Sequence, residues 1–344
     1  MEIKKVYRDT VLVVSISIML LSMAFVARSQ TPSPQGKPVT LKFNHHLAVT
    51  HPGAKAIAQW AADIKAKSQG EITVEVYPAG QLYTNVQAFD AIGEGAIQLS
   101  TEGLFGESGK IPVTAIYNLP YVFNSFEGLV NAGKGGLDEI MNVETEKKGV
   151  KVVSICFIDQ AQWFSTKKLL KRPEDFKGVR LRIFPGFVGP AVEAMGGAAV
   201  TMPLSDVYTS LQRGVVDGHI GTLPSVIAGK FYEIEKHGVI GPFVLSAIHI
   251  IANLKTWNGL SKSQQDLISK TLEDMGNVLT PVMREETLVS GPALLREKGV
   301  EVYVQKPEEA PIFKDVLKPV YDRYLKIAGP QGEKALEIVR KYNK

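Results

Sequence analysis

The chain has 344 residues, 45% hydrophobic and 22% charged, which is ordinary for a globular protein and enough for two core-bearing lobes. The net charge of +4 is modest and partly carried by Lys4, Lys5, Arg8 and Arg28, so nucleic acid is not expected as a partner. Cys156 is the only cysteine, which excludes a disulfide within the chain; its apolar setting over 152–157 points to a buried strand residue rather than a nucleophile.

Taken in order, Lys4, Lys5 and Arg8 precede an apolar run over 11–27, and Ala27-Arg28-Ser29 has a small-x-small pattern. The run is shorter than the roughly 20 residues a spanning helix needs, so residues 1–29 read as a cleaved export signal rather than a membrane anchor. Residues 30–38 read as a linker rich in Pro, Ser and Gly, with no Cys to carry a lipid. An exported chain with one cysteine is expected in a bacterial periplasm. A strand over 39–43 ends at Asn44-His45-His46. A helix over 54–67 follows, with Ile57, Trp60, Ala61 and Ile64 on one face. A strand over 72–76, a helix from about 85 to 93 and a strand over 97–100 complete a β-α-β-α-β order, which implies a parallel, right-handed α/β lobe. Ligands of such sheets bind beyond the carboxyl ends of the strands, which places His45, His46 and Glu102 near the expected mouth.

Residues 151–157 begin the crossing to a second lobe, followed by Asp159-Gln160-Ala161-Gln162-Trp163. In 179–183, Val179, Leu181 and Ile183 alternate with Arg180 and Arg182, the period of a strand with one buried face. Pro190 suits the first turn of a short helix and Gly196-Gly197 stops it. A strand over 198–202 leads to Ser205, expected to cap a helix carrying Val207, Tyr208 and Leu211; Val215 and Val216 are expected to start a strand ended by Asp217-Gly218. A strand over 248–253, helices over 264–275 and 278–298, a strand over 300–304 and helices over 310–328 and 333–342 finish the chain. Arg182 is an always-charged fork at the carboxyl end of a strand. It serves either a structural ion pair or the grip of a carboxylate through two parallel hydrogen bonds.

The run from Gly197 to Gly218, with its M-P-x-S-D-V-Y-x-x-L-Q-x-G-V-V-D-G pattern, resembles the DctP-type solute-binding proteins of TRAP transporters. His51-Pro52, the stretch SQGEITVEVYPAGQL over 68–82, NLPYVF over 118–123 and Trp257 with Leu260 extend the similarity to about residues 39–328. The resemblance implies a two-lobe α/β fold of the periplasmic-binding-protein kind, with a hinge and long C-terminal helices. Lobe I is then 39–158, completed by about 246–278; lobe II is 159–245, completed by about 279–318; the C-terminal helices occupy 319–344.

The family's G-L-K-I-R matches Gly178-Val179-Arg180-Leu181-Arg182, which makes Arg182 the carboxylate clamp. Gln162 falls about where many members carry a second Arg or another polar group; it hydrogen-bonds without neutralising. Gly221 stands where several members have Asn, with His219 as a candidate replacement. His46 and Glu102 match polar cleft positions, and Leu204 matches an apolar wall. Trp163 and Phe184 either stack on the ligand or belong to the core. His45, His46 and His51 lack the companions of a metal site, and no nucleophile–base set, nucleotide motif or cofactor motif is present.

The expected function is capture of a small organic acid and its delivery to the paired small and large membrane subunits of a TRAP transporter. A sensor presenting the acid to a membrane receptor and a secreted enzyme acting on an acid are the alternatives. The sequence leaves open which acid is bound, whether an ion bridges it, and the oligomeric state.

Overall fold

The computed structural model describes residues 36–343; the export signal expected over 1–29 and the linker up to residue 35 lie outside them. The described strands are β1 (Val39–Asn44), β2 (Ile72–Tyr77), β3 (Leu99–Glu102), β4 (Val150–Ser165), β5 (Arg180–Ile183), β6 (Ala198–Thr201), β7 (Gly218–Thr222), β8 (His237–Asn253) and β9 (Glu301–Val304). They form one mixed sheet in the order β2-β1-β3-β8-β4-β7-β5-β6, with β9 paired to β8. β1 is parallel to β2 and β3, and β5 is parallel to β6 and β7. These are the α/β units expected at either end, and helices cross between their strands.

The helix Pro52–Lys67 shows how local chemistry builds the first unit. Ile57, Trp60 and Ile64 form its buried stripe, His51 Nδ1 accepts the Gly53 amide at 3.0 Å, and Lys65 and Lys67 sit in the last turn, where cations oppose the helix dipole favourably. Each buried side chain of that size contributes about 1.5–3 kcal/mol. Trp60 Nε1 donates to Thr271 Oγ1 at 2.9 Å, which ties this helix to the helix Lys262–Glu285.

The two units are joined through β4 and β8, 16 and 17 residues long, which pair antiparallel from Val150↔Asn253 to Ser165↔His237. β3 pairs with the carboxyl end of β8, while β7 pairs with the carboxyl end of β4. Bulges interrupt the register at Val152/Ser154, Ile155/Phe157 and Ala161/Trp163, where strands bend and twist more strongly. One apolar cluster contains residues of both units, from Phe89 and Ile116 to Leu181 and Val192, and includes Phe313, Tyr324 and Val339. Smaller clusters cover the first unit against the helix Lys262–Glu285 and the second unit around Phe164, Leu211 and Phe231.

Several boundaries differ from expectation for identifiable reasons. Val215 and Val216 are not in a strand: the Val215 amide bonds back to Ser210, Val215 is exposed, and pairing starts only at Gly218. Gly218 is required there, since a Cβ would lie 2.1 Å from the Phe164 carbonyl oxygen. Ser205 does not cap a helix; it lies in the 3-10 turn Leu204–Asp206 and its hydroxyl donates to Asp206. The two helices expected over 264–298 run instead as Lys262–Glu285, a π-turn Glu286–Ser290 and Gly291–Glu297, because Gly276 continues the helix against the backbone of Ile155. The terminal helix Ala310–Tyr342 kinks at Gly329, with φ +57° and ψ −146°, a conformation open to glycine.

Candidate functional site

β5 is anchored at its start and open at its end. Asp217, the residue before β7, accepts from Arg180 Nε at 3.0 Å, from Arg180 Nη2 at 2.8 Å and from the Arg180 amide at 3.0 Å, while Lys167 Nζ lies 2.8 Å away. The Arg180 hydrogen bonds and the nearby Lys167 hold the Asp217 carboxyl well below the usual carboxylate range. Two residues on, Arg182 is 6% exposed and donates Nε to the Met202 carbonyl at 3.0 Å, with Nη1 3.5 Å from the Ile220 carbonyl. Desolvation brings its pKa down to about 10. Among the described residues no carboxylate forms an ion pair with it. A buried cation without a counter-charge is costly, and a bound anion removes that cost.

The neighbouring strands place further groups beside it. Arg182 is level with His219 on β7, Gly221 follows His219 on the same face, and Gln162 on β4 pairs directly with Gly221. Gln162 is fully buried; its Oε1 accepts the Gly241 amide at 3.1 Å and its Nε2 has no partner among the described residues. His219 is also fully buried, with Nδ1 on Glu235 and Nε2 unpartnered among the described residues. A Cβ on Gly221 would fall 2.7 Å from His219 Nε2, so the wall at 221 is bare backbone. This face therefore gathers a guanidinium bonded only to carbonyl oxygens and an amide donor without an acceptor among the described residues.

The first unit faces it from the other side. Phe105 and Phe184 meet with ring centroids 5.6 Å apart, bringing the turn after β3 against the segment after β5. Asn118 makes the same bridge, donating to the Pro185 carbonyl at 3.1 Å and accepting the Phe187 amide at 3.2 Å. Glu102, at the end of β3, is 5% exposed with Oε2 unpartnered among the described residues. Burial, then the charge of Glu107, pushes its carboxyl well above the usual range, against the Gly103 amide and Lys110. A raised carboxyl pKa weakens its repulsion of an acid ligand.

The model for the DctP family, described as bacterial extracellular solute-binding protein, family 7, matches residues 43–327. The chain belongs to this family. It is thus a solute-binding protein of the TRAP type and not an enzyme. It is 27% identical over 299 residues to the C4-dicarboxylate-binding periplasmic protein DctP of Rhodobacter capsulatus, covering 86% of this chain and 89% of that protein. It is also 27% identical over 320 residues to the sialic acid-binding periplasmic protein SiaP of Vibrio cholerae, covering 90% and 94%. Among solved structures, a TRAP periplasmic solute-binding protein from Shewanella oneidensis with bound succinate has a TM-score of 0.80, 22% identity, and coverage of 89% of this chain and all of that one (100%). One from Sulfitobacter with bound β-D-galacturonate has the same TM-score of 0.80 at 22% identity, covering 88% and 99%.

Within the binding protein the remaining expected residues divide. Trp163 is core: it is 1% exposed, donates Nε1 to the Leu170 carbonyl at 2.8 Å and packs on Phe176, Phe243 and Phe313. It is not in the set facing Arg182. Phe184 is half-buried against Phe105. Leu204 is 43% exposed, two residues beyond the Met202 carbonyl that holds Arg182. His46 is exposed, yet enough protein surrounds it that desolvation lowers its pKa.

Two residues escaped the sequence reading. Asp159, at the middle of β4, is half-buried; burial raises its pKa to about 7, against hydrogen bonds from the Gln160 amide and Thr222 and together with the charge of Glu286. An acid inside a long strand was its only signal. Glu235 had none, since its partner lies 16 residues away, beyond the helix Leu223–Ala228.

Proposed function

We propose that this binding protein captures a small organic acid in the periplasm and delivers it to the small and large membrane subunits of a TRAP transporter. Arg182 carries the reading: a buried, fixed guanidinium with carbonyl partners and, among the described residues, no carboxylate partner. The relatives support it, since their ligands, C4-dicarboxylate, sialic acid, succinate and galacturonate, all carry a carboxylate. The ligand lies between lobe I, over 39–158 and about 246–278, and lobe II, over 159–245 and about 279–318, with the 319–344 segment packed against them. Arg182, Gln162 and the bare backbone at Gly221 contact it from lobe II, with Phe184 and Leu204 as apolar border. His46 and Glu102 contact it from lobe I. Because both lobes touch one ligand, binding favours the closed arrangement, and the bend falls in β4 and β8, between 155 and 163 on β4.

A thermal-shift screen of the exported protein against succinate, malonate, D-glucuronate and neutral sugars tests this. Stabilisation by at least one acid is expected, with affinity lost at least about 100-fold in Arg182→Ala. The ligand-free melting temperature should be unchanged or higher, since an uncompensated buried charge is removed. Stabilisation by neutral compounds alone, or acid binding untouched by the substitution, would overturn the reading.

A further inference from the structure

His219 and Glu235 form a completely buried pair beside the clamp, and the clamp does not explain it. Nδ1 lies 2.9 Å from Oε1 and 2.8 Å from Oε2, with both side chains 0% exposed. The ring is stacked on Phe164, centroids 5.5 Å apart at 19°, and meets Phe231 edge-on at 5.1 Å and 88°. It is therefore fixed in plane and in rotation. Its other nitrogen, Nε2, is buried without a partner among the described residues and lies 2.7 Å from where a Cβ of residue 221 would stand. The ring can occupy that place because residue 221 is glycine. It adjoins Arg182, which is level with His219 on the next strand and bonds the Ile220 carbonyl between them.

We propose that His219 Nε2 is a second hydrogen-bond donor to the ligand, and that Glu235 is the positioning residue that makes it one. The proposal rests on the carboxylate reading above and specifies the acceptor: an oxygen adjoining the group held by Arg182, either the second carboxylate oxygen or one on the next carbon. The chemistry of the pair decides the direction of the bond. An imidazolium facing a carboxylate and an imidazole facing a carboxylic acid both leave the pair without net charge, and both put a hydrogen on Nε2. Only an imidazole facing a carboxylate leaves Nε2 bare. That arrangement buries a net negative charge among Phe164, Phe231 and other apolar side chains, the costliest of the three. Among the described residues Glu235 has no ion-pair partner other than His219. A donor held this way resembles an oxyanion site: its orientation is paid before the ligand arrives.

The direct test is a nitrogen–proton correlation spectrum of the side chains in exported protein labelled with 15N-histidine, with the His219 signal assigned by its absence in His219→Phe/Glu235→Leu. The ligand-free protein should show a proton on His219 Nε2, and saturation with whichever of succinate, malonate or D-glucuronate binds should shift it downfield. A bare Nε2, or a signal that a bound acid leaves unmoved, overturns the proposal. The double variant, which removes both halves of the pair, should bind that acid about tenfold to a hundredfold more weakly. Gly221→Ala, which puts a methyl group against Nε2, should weaken binding at least as much. Unchanged affinity in both variants also overturns it. If wild-type protein bound no acid at all, the carboxylate reading would fall instead, while the Nε2 proton would still be read independently in the ligand-free spectrum.

Discussion

The two arginines of β5 show how one strand separates structure from binding. Arg180 and Arg182 point to the same face, yet Arg180 is spent on Asp217 at the base of the strand, while Arg182 meets only carbonyl oxygens at its tip. Their alternation with Val179, Leu181 and Ile183 made the face legible; the difference in role was not, because Asp217 reaches Arg180 only once β7 lies beside β5. Asp159 makes a testable point at the same scale. Its pKa rises from an ordinary value near 3.8 to about 7 on folding, so between those pH values the native state holds a proton that the unfolded chain releases. Stability contributed by Asp159 is therefore present at low pH and is lost as pH rises toward 7. In urea unfolding followed from pH 5 to pH 8, Asp159→Asn should gain on wild type by roughly 1–3 kcal/mol as pH rises. A difference that is flat with pH would show that the carboxyl is ionised throughout.

At the scale of elements, the order of strands and helices was readable, and the lengths of the two joining strands were not. β4 was expected over 151–157 and β8 over 248–253, whereas they extend to Val150–Ser165 and His237–Asn253. Gln160 and Gln162 on one strand and Gly238, Gly241 and Pro242 on the other look like loop residues. In the fold the two glutamines bond the Gly241 carbonyl and amide, so a polar pair satisfies backbone groups that the Ala161/Trp163 bulge leaves out of the ladder. No local pattern encodes that exchange. The same holds for Gly276, which lies between the helices expected over 264–275 and 278–298 and instead lets the helix Lys262–Glu285 lie on β4. A Cβ there would be 2.5 Å from the Ile155 carbonyl oxygen. Gly276→Ala should cost about 1–3 kcal/mol, although alanine favours a free helix, because helix and strand must part. Chemical denaturation measures it, and a stabilised variant would mean that the contact yields easily.

For the whole molecule, the largest apolar cluster takes residues from both α/β units and from the terminal helix, whose Phe313 packs on Trp163 while Asn343 accepts the Asn124 amide at 2.9 Å. Neither lobe owns that core. Calorimetry of the ligand-free protein should therefore show one transition, with equal calorimetric and van't Hoff enthalpies. Two resolved transitions would show that the lobes fold independently. The long pairing of β4 with β8 has a mechanical side as well. Two hydrogen-bonded strands make a narrow ribbon, stiff to stretching and shear because both break bonds, and compliant to bending and twist because neither does. Relative movement of the two ends is channelled into that one soft coordinate, so thermal agitation already drives the molecule along the path a ligand would select.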